Sequence, residues 1–201
     1  MKKKIYKPFG PSIGVFEIED KIINNINTYV EKLITSEEKV SKLDMGSKLA
    51  GQVRQEFSLE NNYIAKEISP FLVPIIKTYV FDSVGKNVTK INFSECWVVR
   101  QYKHEYNPLH SHSTHISGVL YLKVPLVVGE SKKKNNQHGQ ILFTHGGLNF
   151  FSPSNIRFLP TVGLLLMFPS YLQHTVYPFF DSEEERRSMA FNIRVNEDIV
   201  K

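Results

Sequence analysis

Six segments in the second half of the chain are rich in β-branched and aromatic residues, and they constrain the fold more than any other feature. They are residues 88–102, 116–125, 140–144, 163–168, 175–180 and 188–195. Gly, Pro and Asn residues that favour turns separate these segments, and no helical periodicity lies between them. Short strands at this spacing predict an all-β sandwich or barrel for the second half of the chain.

The first half of the chain carries helical signals instead. Apolar residues recur with helical spacing after Glu19 and form one stripe, made of Ile22, Ile23, Ile26, Tyr29, Val30, Leu33 and Ile34. A second helical region covers residues 60–83, where Ser69 and Pro70 suit a helix start and favour two consecutive helices. The remaining segments are predicted to be a tail, a first strand and an irregular polar stretch, at residues 1–11, 12–18 and 36–58.

These signals together predict a single domain of residues 1–201. A mostly helical N-terminal layer, residues 1–87, would cover a β core at residues 88–195. A length of 201 residues and a hydrophobic share of 41% suit one globular unit. The single cysteine, Cys96, excludes an intramolecular disulfide bond. No secretory signal and no apolar stretch long enough to cross a membrane are found, so we expect a cytoplasmic protein.

The net charge of +5 is concentrated partly in two lysine runs, at residues 2–4 and 132–134. Short runs of this kind are typical of solvated tails and loops, so nucleic acid is not an expected partner. The lysine run at 132–134 lies in a polar loop between two predicted strands. This loop, within residues 126–138, and the stretch at 36–58 are where we expect substrate selectivity to reside.

Three of the seven histidines fall within six residues, just before the predicted strand at 116–125. His110 and His112 are two residues apart, so on an extended chain their side chains point to the same face. Two neutral imidazoles on one face can each offer a ring nitrogen to the same metal ion. His115 is a rival ligand, but its odd spacing from His112 places it on the opposite face unless the chain turns between them.

Further candidates for a binding site lie near the C-terminus. His174 follows a buried strand and a turn, and it supplies a third imidazole. Twelve residues later, alternation divides the last strand into two faces. One face is polar and carries Arg186 and Ser188, followed by Ala190 and Asn192, whereas the other is apolar with Arg187 at its exposed end. A guanidinium beside a hydroxyl is suited to a carboxylate ligand, which arginine can bind with two hydrogen bonds.

In this order, the motifs resemble the Fe(II)- and 2-oxoglutarate-dependent oxygenases of the double-stranded β-helix, or jelly-roll, class. More narrowly, the chain is similar to a 2OG-Fe(II) oxygenase family with the consensus Asn-x-x-His-x-His, Ser-Gly-Val-x-Tyr, Phe-Pro-Ser, His-x-Val and Arg-x-Ser-x-Ala-Phe-Asn. The matching residues are 107–112, 117–121, 168–170, 174–176 and 186–192. The resemblance covers residues 90–195 and implies a jelly-roll core packed against the helical layer.

The resemblance also implies roles for individual residues. His110, His112 and His174 would bind Fe(II), although His112 stands where most members of the wider class carry an acid. Arg186, assisted by Ser188, would bind the distal carboxylate of 2-oxoglutarate. The remaining residues of the implied cofactor site are Tyr121, Tyr102 and Asn192. The implied reaction consumes O2 and 2-oxoglutarate and hydroxylates a C–H bond of a small-molecule or peptidyl substrate.

Several alternatives stay open at this point. The two tyrosines could equally be core aromatics, and Asn192 could simply close a turn. A site of three histidines could serve a cupin-like dioxygenase or isomerase that does not use 2-oxoglutarate. The chain could also be a jelly-roll binding module without activity, and it could pair with a second copy of itself. The sequence does not identify the substrate.

Overall fold

The computed structural model describes residues 3–6, 10–126, 128, 136–147, 150 and 153–199. The lysine run at 132–134 lies outside the described residues. The strands are β1 (Lys3–Tyr6), β2 (Ile13–Glu17), β3 (Gln55–Ser58), β4 (Ile91–Gln101), β5 (Asn107–His110), β6 (Ile116–Lys123), β7 (Ile141–Thr144), β8 (Asn155–Phe158), β9 (Leu164–Pro169), β10 (Gln173–Val176) and β11 (Arg186–Val195). The helices are α1 (Asp20–Ile34), α2 (Glu37–Leu43), α3 (Asn61–Tyr63) and α4 (Ser69–Val84), with a π-helical turn at Ile64–Ile68 and 3₁₀ turns at Gly46–Lys48 and Glu197–Ile199.

The strands form two antiparallel sheets. The larger sheet has seven strands in the order β1-β2-β9-β6-β11-β4-β3, and the smaller has four in the order β5-β10-β7-β8. All pairs are antiparallel, including the central pairs of β11 with β4 and β6. This arrangement is the jelly roll that the sequence predicts, and it brings β5 and β10 to face the middle of the larger sheet.

The helices cover one face of the larger sheet, and the smaller sheet covers the other. The stripe predicted for α1 is buried at Ile23, Ile26, Val30 and Leu33, where it joins a core that includes Met189, Phe191 and Ile193 of β11. A second, smaller core lies between the sheets and contains Tyr121, Phe143, Leu166 and Phe168, among others. Alternate residues of β11 therefore serve the helix-facing core and the space between the sheets.

The first 87 residues contribute more strand than the sequence predicts. Part of the predicted tail is β1, which pairs with β2, and β2 pairs in turn with β9. The stretch at 36–58, predicted to be irregular, contains α2 and β3, and β3 pairs with β4. The boundary at residue 87 therefore does not separate helices from strands, because the larger sheet recruits strands from both sides of it.

Two other predictions are corrected. Helical backbone continues from α3 through the π-helical turn into α4, and Ser69 itself has helical backbone angles (φ −56°, ψ −42°), so Ser69 is not an N-cap that separates two helices. The wider π-helical turn accommodates Pro70, which lacks an N–H and crowds the carbonyl four residues earlier. Arg187, predicted at an exposed end, has no exposed surface because α1 covers it.

Within the described residues, no helix is both long and apolar enough to span a bilayer.

Candidate active site

Three histidines meet between the two sheets. His110 ends β5, and it is the direct partner of His174 across the pairing of β5 with β10. His112 lies two residues beyond His110, where its backbone N–H donates to the Ser170 carbonyl oxygen over 2.8 Å. One ligand nitrogen from each imidazole lies within 4.8 Å of the other two. The two-residue spacing and the strand pairing thus bring together the three predicted metal ligands.

Backbone carbonyls fix the orientation of two of these rings. The Nδ1 of His110 lies 2.7 Å from the Pro108 carbonyl oxygen, and the Nδ1 of His174 lies 2.9 Å from that of Leu172. A carbonyl oxygen can only accept, so each Nδ1 carries the proton and each Nε2 keeps its lone pair. This is the arrangement by which proteins present imidazole to a metal ion.

Burial favours the neutral form of two of these imidazoles, His112 and His174. Burial lowers the pKa of His112 to about 4, and the neighbouring His110 adds to this effect, whereas the Glu95 carboxylate opposes it. Burial also lowers the pKa of His174 to about 3, and His110 again contributes in the same direction. Imidazole must be neutral to bind a metal, so these residues are ready to do so at neutral pH.

Arg186 lies in the same cavity, on the strand opposite the histidines. It is 3% exposed, and one terminal guanidinium nitrogen donates to the Gly139 carbonyl oxygen over 2.8 Å. Its Nε has no hydrogen-bond partner, and among the described residues no carboxylate lies within ion-pair distance of it. Burial lowers the pKa of Arg186. A buried guanidinium without a counterion is costly, so this position requires an anion.

Tyr121 and Ser188 complete this end of the cavity. They are direct partners across β6 and β11, so their side chains point to the same face. The Tyr121 ring centre lies 5.6 Å from the guanidinium carbon of Arg186, and its hydroxyl is buried with no hydrogen-bond partner among the described residues. Burial raises the pKa of Tyr121. The unpaired hydroxyl and the unpaired Nε are both donors, which fits a bound carboxylate.

Between the three histidines and Arg186, the cavity is lined mainly by apolar residues. Its walls include Val99, Val119, Ile141, Phe168 and Val176. Trp97 also lines it, with its ring centre 6.2 Å from that of His112, and the indole N–H is buried without a partner. The donor set therefore fits a divalent metal at the histidine end and a small dicarboxylate that reaches the arginine end.

Two of the predicted cofactor-binding residues are placed differently from the other three. Tyr102 does not line the cavity: its hydroxyl lies 2.7 Å from a guanidinium nitrogen of Arg100, and its ring packs 4.1 Å from the guanidinium of Arg54. Tyr102 lies one residue beyond the end of β4. Continued alternation along β4 places its side chain on the face opposite to that of Val99, which lines the cavity. Asn192 does line the cavity, but its amide donates to Glu95 and accepts from Ser117, each over 2.7 Å.

His115, the rival ligand, lies on the other side of the larger sheet. Its Nδ1 accepts a hydrogen bond from the backbone N–H of Val195 over 3.1 Å, and the residue lines a separate groove with Tyr79 and Tyr171. The chain bends at residues 113–115, so the alternation argument from His112 does not apply, and it is this bend that determines the direction of His115.

One residue of the site, Ser117, was not predicted from the sequence. Its hydroxyl is buried and contacts Asn192 and the Ser170 hydroxyl, which also lies 2.7 Å from Thr114. The chain of hydroxyls connects the turn after His112 to β11. The sequence does contain a signal for this residue, because a spacing of four residues places Ser117 on the same strand face as Tyr121.

Three clustered histidines share one cavity of a jelly roll with a buried arginine that forms no ion pair with a carboxylate of the described residues, and this arrangement is suited to a non-haem metalloenzyme of the oxygenase type. The family model described as "Putative 2OG-Fe(II) oxygenase" matches residues 95–192, just under half of the chain, and over these residues the protein is similar to that family. Its members are oxidoreductases that depend on iron and 2-oxoglutarate, so the protein is an enzyme of that class. None of the curated proteins compared with the sequence matches it.

Several solved structures share the fold. A prolyl-4-hydroxylase from Pseudomonas putida has 14% sequence identity and a TM-score of 0.58, with 92% of each chain covered. The viral collagen prolyl hydroxylase of Paramecium Bursaria Chlorella virus-1, solved with 2-oxoglutarate, has 12% identity and a TM-score of 0.58, covering 92% of this chain and 96% of its own. HygX from Streptomyces hygroscopicus, solved with nickel, 2-oxoglutarate and hygromycin B, has 12% identity and a TM-score of 0.60, covering 92% and 83%. At these identities the similarity establishes the jelly-roll fold.

Proposed function

We propose that the protein is an Fe(II)- and 2-oxoglutarate-dependent dioxygenase that hydroxylates a C–H bond of its substrate. The observation that carries this proposal is the buried guanidinium of Arg186, which has no anionic partner in the described part of the chain and faces the same cavity as the three histidines. A metal site alone would not need this arginine. A co-substrate with a carboxylate at its far end supplies both the missing anion and the reason for the arginine's burial.

Each residue then has a role in binding. His110, His112 and His174 hold Fe(II) through their free ring nitrogens. Arg186 binds the distal carboxylate of 2-oxoglutarate, with hydrogen bonds from the hydroxyls of Tyr121 and Ser188. The bound iron would supply the oxidising chemistry, in which O2 and 2-oxoglutarate become CO2 and succinate and one oxygen atom converts a substrate C–H to C–OH. The apolar walls exclude water from the reacting atoms.

Because His112 takes the place of a carboxylate, this ligand set carries one negative charge fewer than a set of two histidines and one carboxylate. The Glu95 carboxylate, which accepts from Asn192, is close enough to His112 to raise its pKa against the effect of burial. We propose that Asn192, Ser117 and the hydroxyls beyond it hold the turn that carries His112, rather than contacting the co-substrate. The named ligands of HygX and of the viral prolyl hydroxylase support 2-oxoglutarate as the co-substrate.

The test is an anaerobic titration of Fe(II)-loaded protein with 2-oxoglutarate, followed by the visible charge-transfer band of the chelate. Arg186→Ala should weaken 2-oxoglutarate binding by at least about 30-fold, because truncating one partner of a buried charge pair costs about 2–5 kcal/mol. Arg194→Ala is the matched control, since Arg194 is exposed on the same strand. Equal affinity in Arg186→Ala and the wild type would overturn the proposal.

A second function can be distinguished with the same materials. Three neutral histidines are also the donor set of dioxygenases that act without 2-oxoglutarate. Such an enzyme would consume O2 with its substrate when 2-oxoglutarate is absent, and Arg186→Ala would not change its metal-centred spectrum. We favour the 2-oxoglutarate-dependent reaction because it alone accounts for Arg186 and Tyr121. The substrate of that reaction is either a small molecule or a peptidyl residue.

A further inference from the structure

A third unpaired donor lies in the cavity, apart from Arg186 and Tyr121. Trp97 of β4 is 5% exposed and lines the cavity, and its indole N–H has no hydrogen-bond partner among the described residues. The distal carboxylate of 2-oxoglutarate accounts for the unpaired groups of Arg186 and Tyr121. The binding roles proposed above leave the indole N–H of Trp97 without an acceptor.

The acceptor for this N–H has to come from a molecule in the cavity. Tryptophan usually finds a hydrogen-bond partner when it is buried, because a buried donor without one loses the bond it makes to water in the unfolded chain. The side chains that line the cavity around Trp97 on the same sheet, Val99, Val119 and Ala190, are apolar. They place the indole against the cavity but offer no oxygen to its N–H.

Strand pairing places Trp97 at a defined position along the cavity. Ser188 of β11 is the partner of both Tyr121 and Val99, and Ala190, two residues further along β11, is the partner of Trp97. Two residues of a strand span about 7 Å. Trp97 therefore lies about 7 Å along the sheet from the row of Ser188 and Tyr121, where the distal carboxylate is proposed to bind.

This displacement is toward the histidines. The ring centre of Trp97 lies 6.2 Å from that of His112, and the two rings meet edge to face at 66°. The next cavity-facing pair along β11 and β6 is Asn192 with Ser117, which belongs to the hydroxyl chain behind the turn after His112. Trp97 thus lies between the row that would hold the distal carboxylate and the end of the cavity that would hold the metal.

The length of 2-oxoglutarate matches this separation. Its two carboxylate carbons are joined by four C–C bonds of about 1.5 Å, so in an extended chain they lie about 5 Å apart, with the outermost oxygens about 7 Å apart. A molecule whose distal carboxylate lies at Ser188 and Tyr121 therefore places its other carboxylate at the row of Trp97. That carboxylate is an acceptor beside a buried donor that lacks one.

We propose that the indole N–H of Trp97 donates a hydrogen bond to the metal-end carboxylate of 2-oxoglutarate, the one beside the keto group. This inference rests on the proposed function, because it assigns a residue to the near end of that co-substrate while Arg186 binds the far end. The bond is charge-assisted, and holding both ends gives the co-substrate one orientation in the cavity. An indole N–H can only donate, so Trp97 can lie beside the metal ligands without becoming one.

Trp97 is the only tryptophan of the chain, so its indole N–H gives one resonance in a ¹H–¹⁵N NMR spectrum. The full chain, labelled with ¹⁵N and loaded with Zn(II), a diamagnetic ion that binds three histidines, is titrated with 2-oxoglutarate. We expect the indole proton resonance to move downfield as 2-oxoglutarate binds and to stay in place when Zn(II) alone is added. Pentanoate, which has five carbons and a single carboxylate for Arg186, should compete with 2-oxoglutarate without causing this shift.

A variant tests the same bond through affinity. Trp97→Phe keeps an aromatic ring but has no donor, so it should weaken 2-oxoglutarate binding to the Fe(II)-loaded protein by about tenfold or more. The iron content and the affinity for pentanoate should not change. Tyr171→Phe is the matched control, because it removes an exposed aromatic donor in the groove beside His115 and should alter none of these values.

The outcomes separate this role of Trp97 from the proposed function. An indole resonance that stays in place while 2-oxoglutarate binds, or that moves equally with pentanoate, would overturn the hydrogen bond, as would equal 2-oxoglutarate affinity in a folded Trp97→Phe. The NMR titration uses the unsubstituted chain, so it decides the question even if Trp97→Phe does not fold. A normal charge-transfer band with any of these results would reject the role of Trp97 alone, whereas a wild type without the band would reject the proposed function as well.

Discussion

At the scale of single residues, the histidines combine two kinds of constraint. The carbonyls of Pro108 and Leu172 fix which nitrogen of His110 and His174 carries the proton. Burial then keeps His112 and His174 neutral far below neutral pH. Orientation and neutrality are both conditions for metal binding, and they are met by the protein without the metal. The site is therefore preorganised rather than assembled by the ion.

Removing one histidine should show this directly. We expect His174→Ala to lower Fe(II) affinity by more than about 100-fold, since even the loss of a group that only orients a ligand costs 10–100-fold. The measurement is the iron content after anaerobic loading and dialysis, with the wild type expected to retain one ion per chain. His115→Ala is the control, because His115 faces the other side of the sheet. Full iron retention in His174→Ala would remove His174 from the metal site.

Glu56 should give the protein a characteristic dependence of stability on pH. Its pKa is raised from 4.5 to about 7 by folding. The folded state therefore holds the proton more tightly than the unfolded state, and the free energy of unfolding should fall as pH rises between these two values. The loss is about 3 kcal/mol, at about 1.4 kcal/mol for each pKa unit. Above pH 7 this contribution to stability is gone.

Urea unfolding of Glu56→Gln across this pH range checks the prediction. The variant should lose less stability than the wild type between pH 4.5 and pH 7, because glutamine has no proton to release. Glu38→Gln, which removes an exposed carboxylate, should follow the wild-type curve. Parallel curves for Glu56→Gln and the wild type would mean that the Glu56 carboxyl titrates normally in the folded protein.

The sequence could indicate the histidines but not Glu56, and the reason is physical. His110 and His112 share a face by local spacing, which the chain displays in its residue order. The carboxyl group of Glu56 is buried beside Asn107 only because β3 pairs with β4. That pairing is non-local, and the short polar segment around Glu56 gives no periodic signal of it.

At the scale of elements, β11 shows how one strand serves two functions. Arg186, Ser188 and Asn192 face the cavity, as alternation predicts, and Met189 and Phe191 face the helices. Arg187 lies on the helix side, where the sequence predicted exposure. It is buried because α1 supplies partners for it, with Glu31 at 3.1 Å and Asn27 at 3.2 Å, and Glu185 contacts it at 2.7 Å.

The ion cluster of Arg187 with Glu31 and Glu185 should stabilise the fold. Burial tends to raise the pKa of Glu185, but hydrogen bonds from Arg187 and Arg100 outweigh burial and lower it. Arg187→Met should reduce the free energy of unfolding by about 1.5–3 kcal/mol, because Glu185 loses its hydrogen bonds from Arg187 but keeps those from Arg100. Urea denaturation measures this loss. Glu31→Gln, at the half-exposed end, should cost less than about 1 kcal/mol. A loss in Arg187→Met no larger than in Glu31→Gln would mean that the cluster does not stabilise the fold.

Three strands that the sequence did not predict, β1, β3 and β8, lie at the edges of their sheets. β1 and β3 are the two edge strands of the larger sheet, and each has only one neighbour. Edge strands are half-solvated, so they do not need the apolar runs by which β4, β6, β9 and β11 were recognised. Their four-residue segments, KKIY and QEFS, are also too short to show alternation clearly. Pairing with a strand already in place determines their structure.

At the scale of the whole molecule, the helical layer and the jelly roll share one core. The main hydrophobic cluster contains residues of α1 and α4 together with residues of β4, β6, β9 and β11. The N-terminal part also supplies β2 and β3 to the larger sheet. We therefore propose that the chain is one folding unit, and that residues 1–87 and 88–195 are not separable.

Cutting the chain at residue 87 tests this proposal. The full chain should unfold in one transition, with equal calorimetric and van't Hoff enthalpies. A fragment of residues 88–201 should show no cooperative transition, because it exposes the helix-facing apolar surface of the larger sheet and removes one of the two neighbours of β4 and of β9. Adding Fe(II) and 2-oxoglutarate should not restore folding, because ligand binding contributes about 3–4 kcal/mol at 100 to 1,000 times the Kd, which is less than the apolar burial and strand pairing that the cut removes. A fragment that melts cooperatively and binds iron would show instead that the jelly roll folds alone and that the first 87 residues are an addition to it.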